Sequence, residues 1–491
     1  MLQTPWRDPA IFRRMTGNSK LETDYLVVGA GALGMAFVDS LIEHSDADVV
    51  MVERRHRPGG HWLDSYPFVQ LHQPSRFYGV DSTPLGQDRI EPDGPDTGFS
   101  ERASGAEICG YYDEIMRHRF LASWHVRFFP MSGYLGDRRF QSLVTDQVTD
   151  VTVRRHVVDA TYMASRVPAT EPAPFDVADG ARCVPVGELA KLADPAAGYV
   201  IVGGGKTASD AICWLLDRGT DPDDITWIRP RDNWILNRAF FQPGHVRTFE
   251  GVVLQLEAMV ELQSVEEVFE RLEAAGEMLR TNRDVVPTMM KGGTASVWEV
   301  EQLRRVENVV RFGHVERIET DRILLENGSI PTTADHLHVH CAASGLSDNP
   351  PRPIFTDDTI TLQLVTRVGL TLSGGLQGFL ESTGRTTEEK NRLCPPTGMP
   401  HTPFDYLRVI MAGISTELSW QEAPDLQEWV DRSRLNLMNG LENEDSATVR
   451  ELQGRFFTAL FPAIEKLQVF AAEATPRERA RMFDPAASFG A

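Results

Sequence analysis

Hydrophobic and polar positions alternate in blocks that predict strands and helices in regular succession. Tyr25–Val28 is a short β-branched run that ends in a glycine turn, and a helix-like segment follows. A second apolar strand, 48–52, then closes on an acid, Glu53. The same order returns further on, where Val200–Val202, a glycine turn and a helix through Trp214 and Leu215 lead to a strand at Ile225–Ile228. Each block is a βαβ unit, and two such units predict an α/β fold with two Rossmann-like, doubly wound parallel sheets.

The glycines within these units carry the chemistry. Gly29, Gly31 and Gly34 fill G-x-G-x-x-G between strand and helix. Gly29 permits the tight turn, Gly31 leaves room for a pyrophosphate, and Gly34 lets helix and strand close up. The unbonded N–H groups of the new helix then face an anion. Glu53, with Arg54 beside it, is placed to accept hydrogen bonds from ribose hydroxyls. In the second unit Gly203, Gly205 and Ala208 fill G-x-G-x-x-A, but the strand after its helix ends in Arg229, with Arg231 close behind. An acid there would repel a 2′-phosphate and a guanidinium would pair with it, so NADPH is expected over NADH. The alternative is that both arginines are solvated surface charges.

Between the units the chain reads RRHRPGGHWLDSYPFVQLHQPSRFYGV. Its Gly59, Gly60 and Trp62 resemble the G-G-x-W of flavin-containing, Baeyer–Villiger and N-hydroxylating monooxygenases. The stretch Gly203–Ile212 is similar to the same group's NADPH motif, with Thr207, Ala208 and Asp210 at matching positions and Lys206 in place of the usual Asn. The resemblance implies an FAD domain interrupted by an NADPH domain, with a return to the FAD domain near Val339–Gly345. It implies FAD on Gly29, Gly31, Gly34, Glu53, Arg54, Gly60 and Trp62, and NADPH on Gly203, Gly205, Lys206, Thr207, Arg229 and Arg231. Tyr66 and Pro67 would bring the chain under the flavin. His72, Gln73 and Ser75 fall near where relatives place polar groups against the isoalloxazine, although His72 and Gln73 could instead only satisfy loop backbone.

The activity so implied is an FAD-dependent, NADPH-consuming monooxygenase that passes one oxygen atom from O₂, through a flavin C4a-(hydro)peroxide, to nitrogen or sulfur of a small molecule. The alternatives are an NADPH:acceptor oxidoreductase without oxygen insertion, and a nucleotide-sensing protein without turnover. Departures narrow the class. The F-x-G-x-x-x-H signature of Baeyer–Villiger enzymes finds no histidine in PAPFDVADGARCVPVGEL, the halogenase W-x-W-x-I-P is missing, and no cysteine lies between Gly29 and Cys109 to serve a disulfide reductase. Asp179, Gly180 and Arg182 have the D-G of single-component aromatic hydroxylases, but those enzymes lack a second Rossmann unit.

Organisation follows from the motifs. The expected parts are residues 1–165 for the FAD domain's first portion, 166–340 for an NADPH domain, and 341–491 for the FAD return and a C-terminal elaboration. Residues 1 to about 22 look like a leader that packs on the first domain or frays. Runs such as HVRFFP and DVTVRRHVVDA suggest an inserted meander after a helix from Glu107 to Phe120. Apolar positions from Leu254 to Leu272 repeat at helical spacing and predict a core-facing helix pair near 254–280, with a lid or homodimer contact as the alternative. ITLQLVTRVGLTLSGGLQGFLEST suggests a strand, a glycine-rich turn and a helix, by which Ser373, Gly374 and Gly375 would approach the flavin; a packing turn is the alternative. The stretch from Trp420 to Leu467 reads as largely helical.

Composition adds limits. With 491 residues, 42% hydrophobic and 24% charged, the chain is an ordinary globular protein of more than one unit. Its net charge of −21 opposes nucleic acid and anionic membrane as partners, without excluding a local phosphate site. The 5 scattered cysteines, the lack of a signal-peptide pattern and the lack of a long apolar run suggest a cytoplasmic protein with no metal site.

Overall fold

In the computed structural model, residues 19–244, 246–347, 349–365, 369–441 and 446–476 are described. The expected leader thus lies largely outside them, and Ser19 already opens a strand.

The first sheet contains β1 (Ser19–Val28), β2 (Val49–Val52), β3 (Val126–Phe129), β4 (Ser132–Gly136), β5 (Arg139–Ser142) and β6 (Val148–Asp159), in the order β3-β2-β1-β6-β5-β4. β1 runs parallel to β2 on one side and β6 on the other, while β4 and β5 form an antiparallel hairpin at the edge. This corrects the expected meander. HVRFFP and DVTVRRHVVDA are parallel members of the Rossmann sheet itself, and only β4 and β5 are inserted between them. The helix after residue 104 runs from Gly105 to Ile115, is capped by Ser104 and Glu107, and continues as a π turn to Phe120.

The second sheet is wholly parallel, in the order β10-β9-β8-β11-β7, from β7 (Cys183–Pro185), β8 (Gly198–Val202), β9 (Ile225–Ile228), β10 (Val309–Val310) and β11 (His336–His340). After it the chain returns to the first sheet, where Thr359–Thr361 pairs in parallel with β6.

Helix α1 (Ala32–Glu43) is buried along most of its length because it is covered on two sides, by the first sheet and by a second helix. That second helix, Leu370–Ser382, corrects another expectation. Ser373, Gly374 and Gly375 are buried inside a continuous helix and make no glycine turn towards a ligand. Glycines spaced four apart let two backbones approach, and a Cβ on Gly374 would stand 2.8 Å from the Leu33 carbonyl oxygen. On Gly378 it would stand 2.3 Å from that of Phe37. Gly378→Ala should therefore lower the unfolding free energy by about 1–3 kcal/mol, the range of overpacking, in a urea titration; an unchanged midpoint would mean the helices separate at no cost.

The expected helix pair is present as Val246–Glu261 and Val265–Ala274, beginning earlier in the chain than the pattern suggested. It shares one apolar core with helices Pro403–Ser419 and Ala447–Ala472 and with the three-stranded sheet of Asn233–Asn237, Met278–Leu279 and Met289–Ala295. Arg455 clamps Glu257 with bonds of 2.8 and 2.7 Å across this contact. The insertion and the C-terminal helices therefore form one packed layer, and it closes one side of the cavity described next.

Candidate functional site

The first glycine turn has the geometry of an anion cradle. Gly29 lies at φ +103°, a left-handed value that side chains rarely adopt. A Cβ on Gly34 would sit 2.3 Å from the Gly29 carbonyl oxygen, whereas one on Gly31 would meet only the Cα of Gly60, at 3.6 Å. The space above Gly31 is thus left open. Helix α1 starts at Gly31 with no side-chain cap, so its first N–H groups remain available to a phosphate. The Gly59–Gly60 pair folds directly onto this turn, at φ +130° and +59°, with the Gly59 N–H donating to the Ala30 carbonyl at 2.9 Å.

Glu53 is buried at the carboxyl end of β2. Its Oε2 accepts from the Ala30 N–H at 2.8 Å and its Oε1 from the Arg55 N–H at 2.9 Å. A carboxylate held this way retains lone pairs for ribose hydroxyls. Arg54 is exposed, and it is Arg55 that turns inward, to Asp64. Thr161, just past β6, packs against Gly29 from the other side, which the sequence reading did not anticipate. A hollow of about 420 Å³ opens there, bounded by Val28, Asp159 and Thr161 at the carboxyl ends of β1 and β6, the edge at which open α/β sheets take ligands.

The second turn repeats the arrangement. Gly203 lies at φ +144°, and a Cβ there would press on the Cys341 backbone at 3.0 Å. Gly205 begins the helix Lys206–Asp217 without a side-chain cap, and a Cβ on it would meet nothing within 4 Å. The loop after β9 lies against this turn, since a Cβ on Gly204 would touch the Arg231 carbonyl at 3.2 Å and Arg229 Cβ at 3.4 Å. The Arg229 guanidinium stacks 4.1 Å over Trp227 and ion-pairs with Asp232, whose carboxylate also takes two bonds from Arg311 at 2.6 and 3.0 Å. Two guanidinium groups thus share one carboxylate, which leaves net positive charge beside the turn. Burial lowers the Arg229 guanidinium to about 10, still charged at neutral pH, and its Nε has no hydrogen-bond partner.

A cavity of about 780 Å³ is lined by Gly203–Thr207 and Arg229–Arg231 together with Trp62, Tyr66, His72 and Gln73, from the segment that folds onto the first turn. Trp62 is fixed by a 2.7 Å bond from its indole N–H to the Tyr78 hydroxyl. Tyr66 donates to Asp210 Oδ2 at 2.6 Å; burial and that neighbouring carboxylate push its phenol well above the usual range. His72 is held through its backbone carbonyl, which accepts from Arg238 Nε at 3.0 Å and from the Thr294 hydroxyl at 2.6 Å. Burial, then the charges of Lys206 and Arg238, push its imidazole down to about 3, so it is neutral at physiological pH. Gln73 donates to the Phe77 carbonyl at 3.2 Å. Ser75 is not brought to the cavity. It is buried, accepts from the Ala103 N–H at 2.7 Å and pins the 101–103 backbone.

Lys206 lines the cavity, but its ammonium is committed to Asp210 and, at 3.6 Å, to Glu299. It belongs to a charge network that sequence reading missed. Arg238, fully buried, bonds Asp96 at 2.8 Å and Glu299 at 2.5 Å, and Arg102 closes on Asp96 from the other side. These residues lie far apart in the chain and match no motif, so no local signal announces them. Among the described residues, no cluster of three or more His, Cys, Asp or Glu could hold a metal, and no helix is long and apolar enough to cross a membrane.

A family model described as an NAD(P)-binding Rossmann-like domain matches residues 27–73, the first βαβ unit and the segment after it. The uncharacterized protein Rv2000 of Mycobacterium tuberculosis is 43% identical over 444 residues, covering 90% of this chain and 81% of its own length. The uncharacterized protein Mb2023 of Mycobacterium bovis matches with the same figures. Among solved structures, the chain is similar to cyclohexanone monooxygenase from Rhodococcus sp. Phi1 bound to NADP+, with 14% identity, 90% of this chain and 98% of that one covered, and a TM-score of 0.47. It is also similar to oxidized steroid monooxygenase bound to NADP, with 14% identity, coverages of 74% and 85%, and a TM-score of 0.47.

Proposed function

The chain belongs to the family of the mycobacterial proteins Rv2000 and Mb2023, and for this family member we propose an FAD-dependent, NADPH-consuming monooxygenase acting on a small molecule, at nitrogen or sulfur. The observation that carries the reading is the shared cavity. One wall is the second glycine turn with its arginines, and another is the segment that folds onto the first turn. A dinucleotide cradle on one wall and, on another, the segment that folds onto the other cradle suit redox chemistry between two bound cofactors and a third molecule.

The residues fit both groups. A side chain at Gly31 would meet only Gly60 Cα at 3.6 Å and one at Gly205 nothing within 4 Å, and each glycine precedes a helix that has no side-chain cap. When bound, FAD would supply the redox chemistry, taking electrons from NADPH and activating O₂. The chain's part is to bind and exclude. The N-termini of α1 and the helix Lys206–Asp217 hold phosphates, Glu53 takes ribose hydroxyls, and Trp62 and Tyr66 wall the cavity against water. His72, neutral and anchored by its carbonyl, presents a hydrogen-bonding ring that adds no charge.

The direct test is aerobic turnover of the purified, FAD-loaded protein with NADPH and a panel of amines and sulfides, with products analysed by mass. Products heavier by one oxygen atom support the reading; NADPH consumption that only reduces added quinones rejects it. Arg229→Gln removes one charge-assisted bond of about 1.5–3 kcal/mol to a 2′-phosphate. It should raise KM for NADPH about ten- to a hundredfold and leave KM for NADH nearly unchanged, whereas equal losses for both nucleotides would remove Arg229 from 2′-phosphate recognition.

A further inference from the structure

The wall of the cavity built by the helical insertion holds a carboxyl group that neither cofactor role uses. Glu277, 1% exposed, stands just before the strand Met278–Leu279 and lines the cavity. Gln255, on the helix Val246–Glu261, donates from Nε2 to Glu277 Oε1 at 2.5 Å and to the Tyr406 hydroxyl at 3.3 Å. The second oxygen, Oε2, has no hydrogen-bond partner, and neither do the hydroxyls of Thr248 and Thr281 on the same wall.

No cation among the described residues answers this acid. Arg280, three positions on, is directed to Glu273 at 2.9 Å and to the Trp234 ring. From the strand Asn233–Asn237, Asn237 meets only the Glu277 backbone, and its amide donates to the Gly276 carbonyl. Lys291 and His401, which line the cavity from neighbouring segments, both have partners of their own. Burial accordingly pushes the Glu277 carboxyl up to about 8, opposed only by the Gln255 amide. An unpaired acid in an apolar wall costs stability, and a ligand of opposite charge repays that cost. The wall also carries the apolar side chains of Phe240, Phe241, Val252, Val409 and Ile410.

We propose that Glu277 is the counter-ion of an amine-bearing substrate, whose cationic nitrogen it holds while the apolar body lies against Phe240, Val252 and Ile410. That the bound amine is a substrate rests on the proposed monooxygenase activity; its binding to Glu277 does not. Below about pH 8 Glu277 starts protonated, the amine arrives as an ammonium ion, and their pairing releases one proton to solvent.

Calorimetric titration of the FAD-loaded protein with phenylbutylamine and with its neutral counterpart phenylbutanol, in phosphate and in Tris near pH 7, tests this. The amine should bind at least about tenfold tighter than the alcohol and release about one proton, and its Kd should fall nearly tenfold per pH unit up to about pH 8. In Glu277→Gln the preference should collapse to near parity and the proton release should vanish. Equal affinities in the wild type, failure of both ligands to bind, or a preference retained in Glu277→Gln would overturn the proposal. Should that variant not fold, the proton count and pH slope of the wild type decide alone. Amine binding with proton release but no oxygenated product would leave the site standing and sink the monooxygenase reading. Oxygen transfer to neutral substrates with no preference for amines would do the reverse.

Discussion

Replacing Arg238 with methionine should cost the protein about 3–5 kcal/mol of unfolding free energy at neutral pH, the loss typical of breaking a buried ion pair from one side. The guanidinium is fully buried and serves Asp96, Glu299 and the His72 carbonyl at once. Methionine fills similar volume and satisfies none of them. Arg238→Lys should recover only part of the loss, because one ammonium cannot reproduce a planar fork. The pH dependence identifies the cause. Burial opposes ionisation of Glu299, yet the charges of Lys206, Arg238 and Arg102 hold its carboxyl down to about 2. A depressed acid contributes stability above its unfolded value of about 4.3, and that contribution is lost as pH falls towards the folded value. The gap between wild type and Arg238→Met should therefore narrow from about pH 4.5 to pH 2. Urea midpoints across that range measure it, and a gap constant with pH would assign the loss to packing. The variant should also release the His72 segment and weaken whatever the cavity binds.

Gly31→Ala should leave the apoprotein as stable as the wild type, within about 0.5 kcal/mol, and reduce FAD affinity about a hundredfold, equivalent to about 2.7 kcal/mol. The backbone there is ordinary for any residue, at φ −83°, and the new methyl would meet only Gly60 Cα at 3.6 Å. What it would fill is the space a pyrophosphate needs. Gly34→Ala is the contrasting variant. Its methyl would stand 2.3 Å from the Gly29 carbonyl oxygen and 3.1 Å from Ala160 Cβ, so helix and strand must part and the apoprotein itself should be destabilised. Flavin absorbance after reconstitution, set beside apoprotein melting, separates the two. Normal flavin content in Gly31→Ala would show that the first turn does not carry a dinucleotide.

The contrast between these glycines explains how much of the site was legible. A turn between strand and helix is local, so the motif at Gly29, Gly31 and Gly34 and its repeat at Gly203 and Gly205 stand out in the chain. The arginines after β9 were legible for the same reason, being a few residues beyond a strand end. Asp232 was visible too but carried no meaning until Arg311, 79 residues away, was seen on its other oxygen. Helix glycines are read less well. Gly374 and Gly375 look like turn residues in sequence, and only the approach of α1 gives Gly374, with Gly378, a packing role. Ser75 failed as a site residue because a short polar side chain in a loop satisfies backbone as readily as a ligand.

Hydrophobic periodicity and glycine spacing by themselves determined the α/β class, the two dinucleotide-binding units and the turns on which phosphates would rest, because each depends on contacts within about thirty residues. The tertiary structure alone decided what surrounds those turns. It joined His72 to Arg238 and Thr294, set Lys206 against Glu299, and packed the insertion on the C-terminal helices so that Glu277 lines the same cavity as the second glycine turn. Such pairings are made when burial brings distant charges together and each must find a partner away from water. Their sequence separations are arbitrary, so only the folded chain records them.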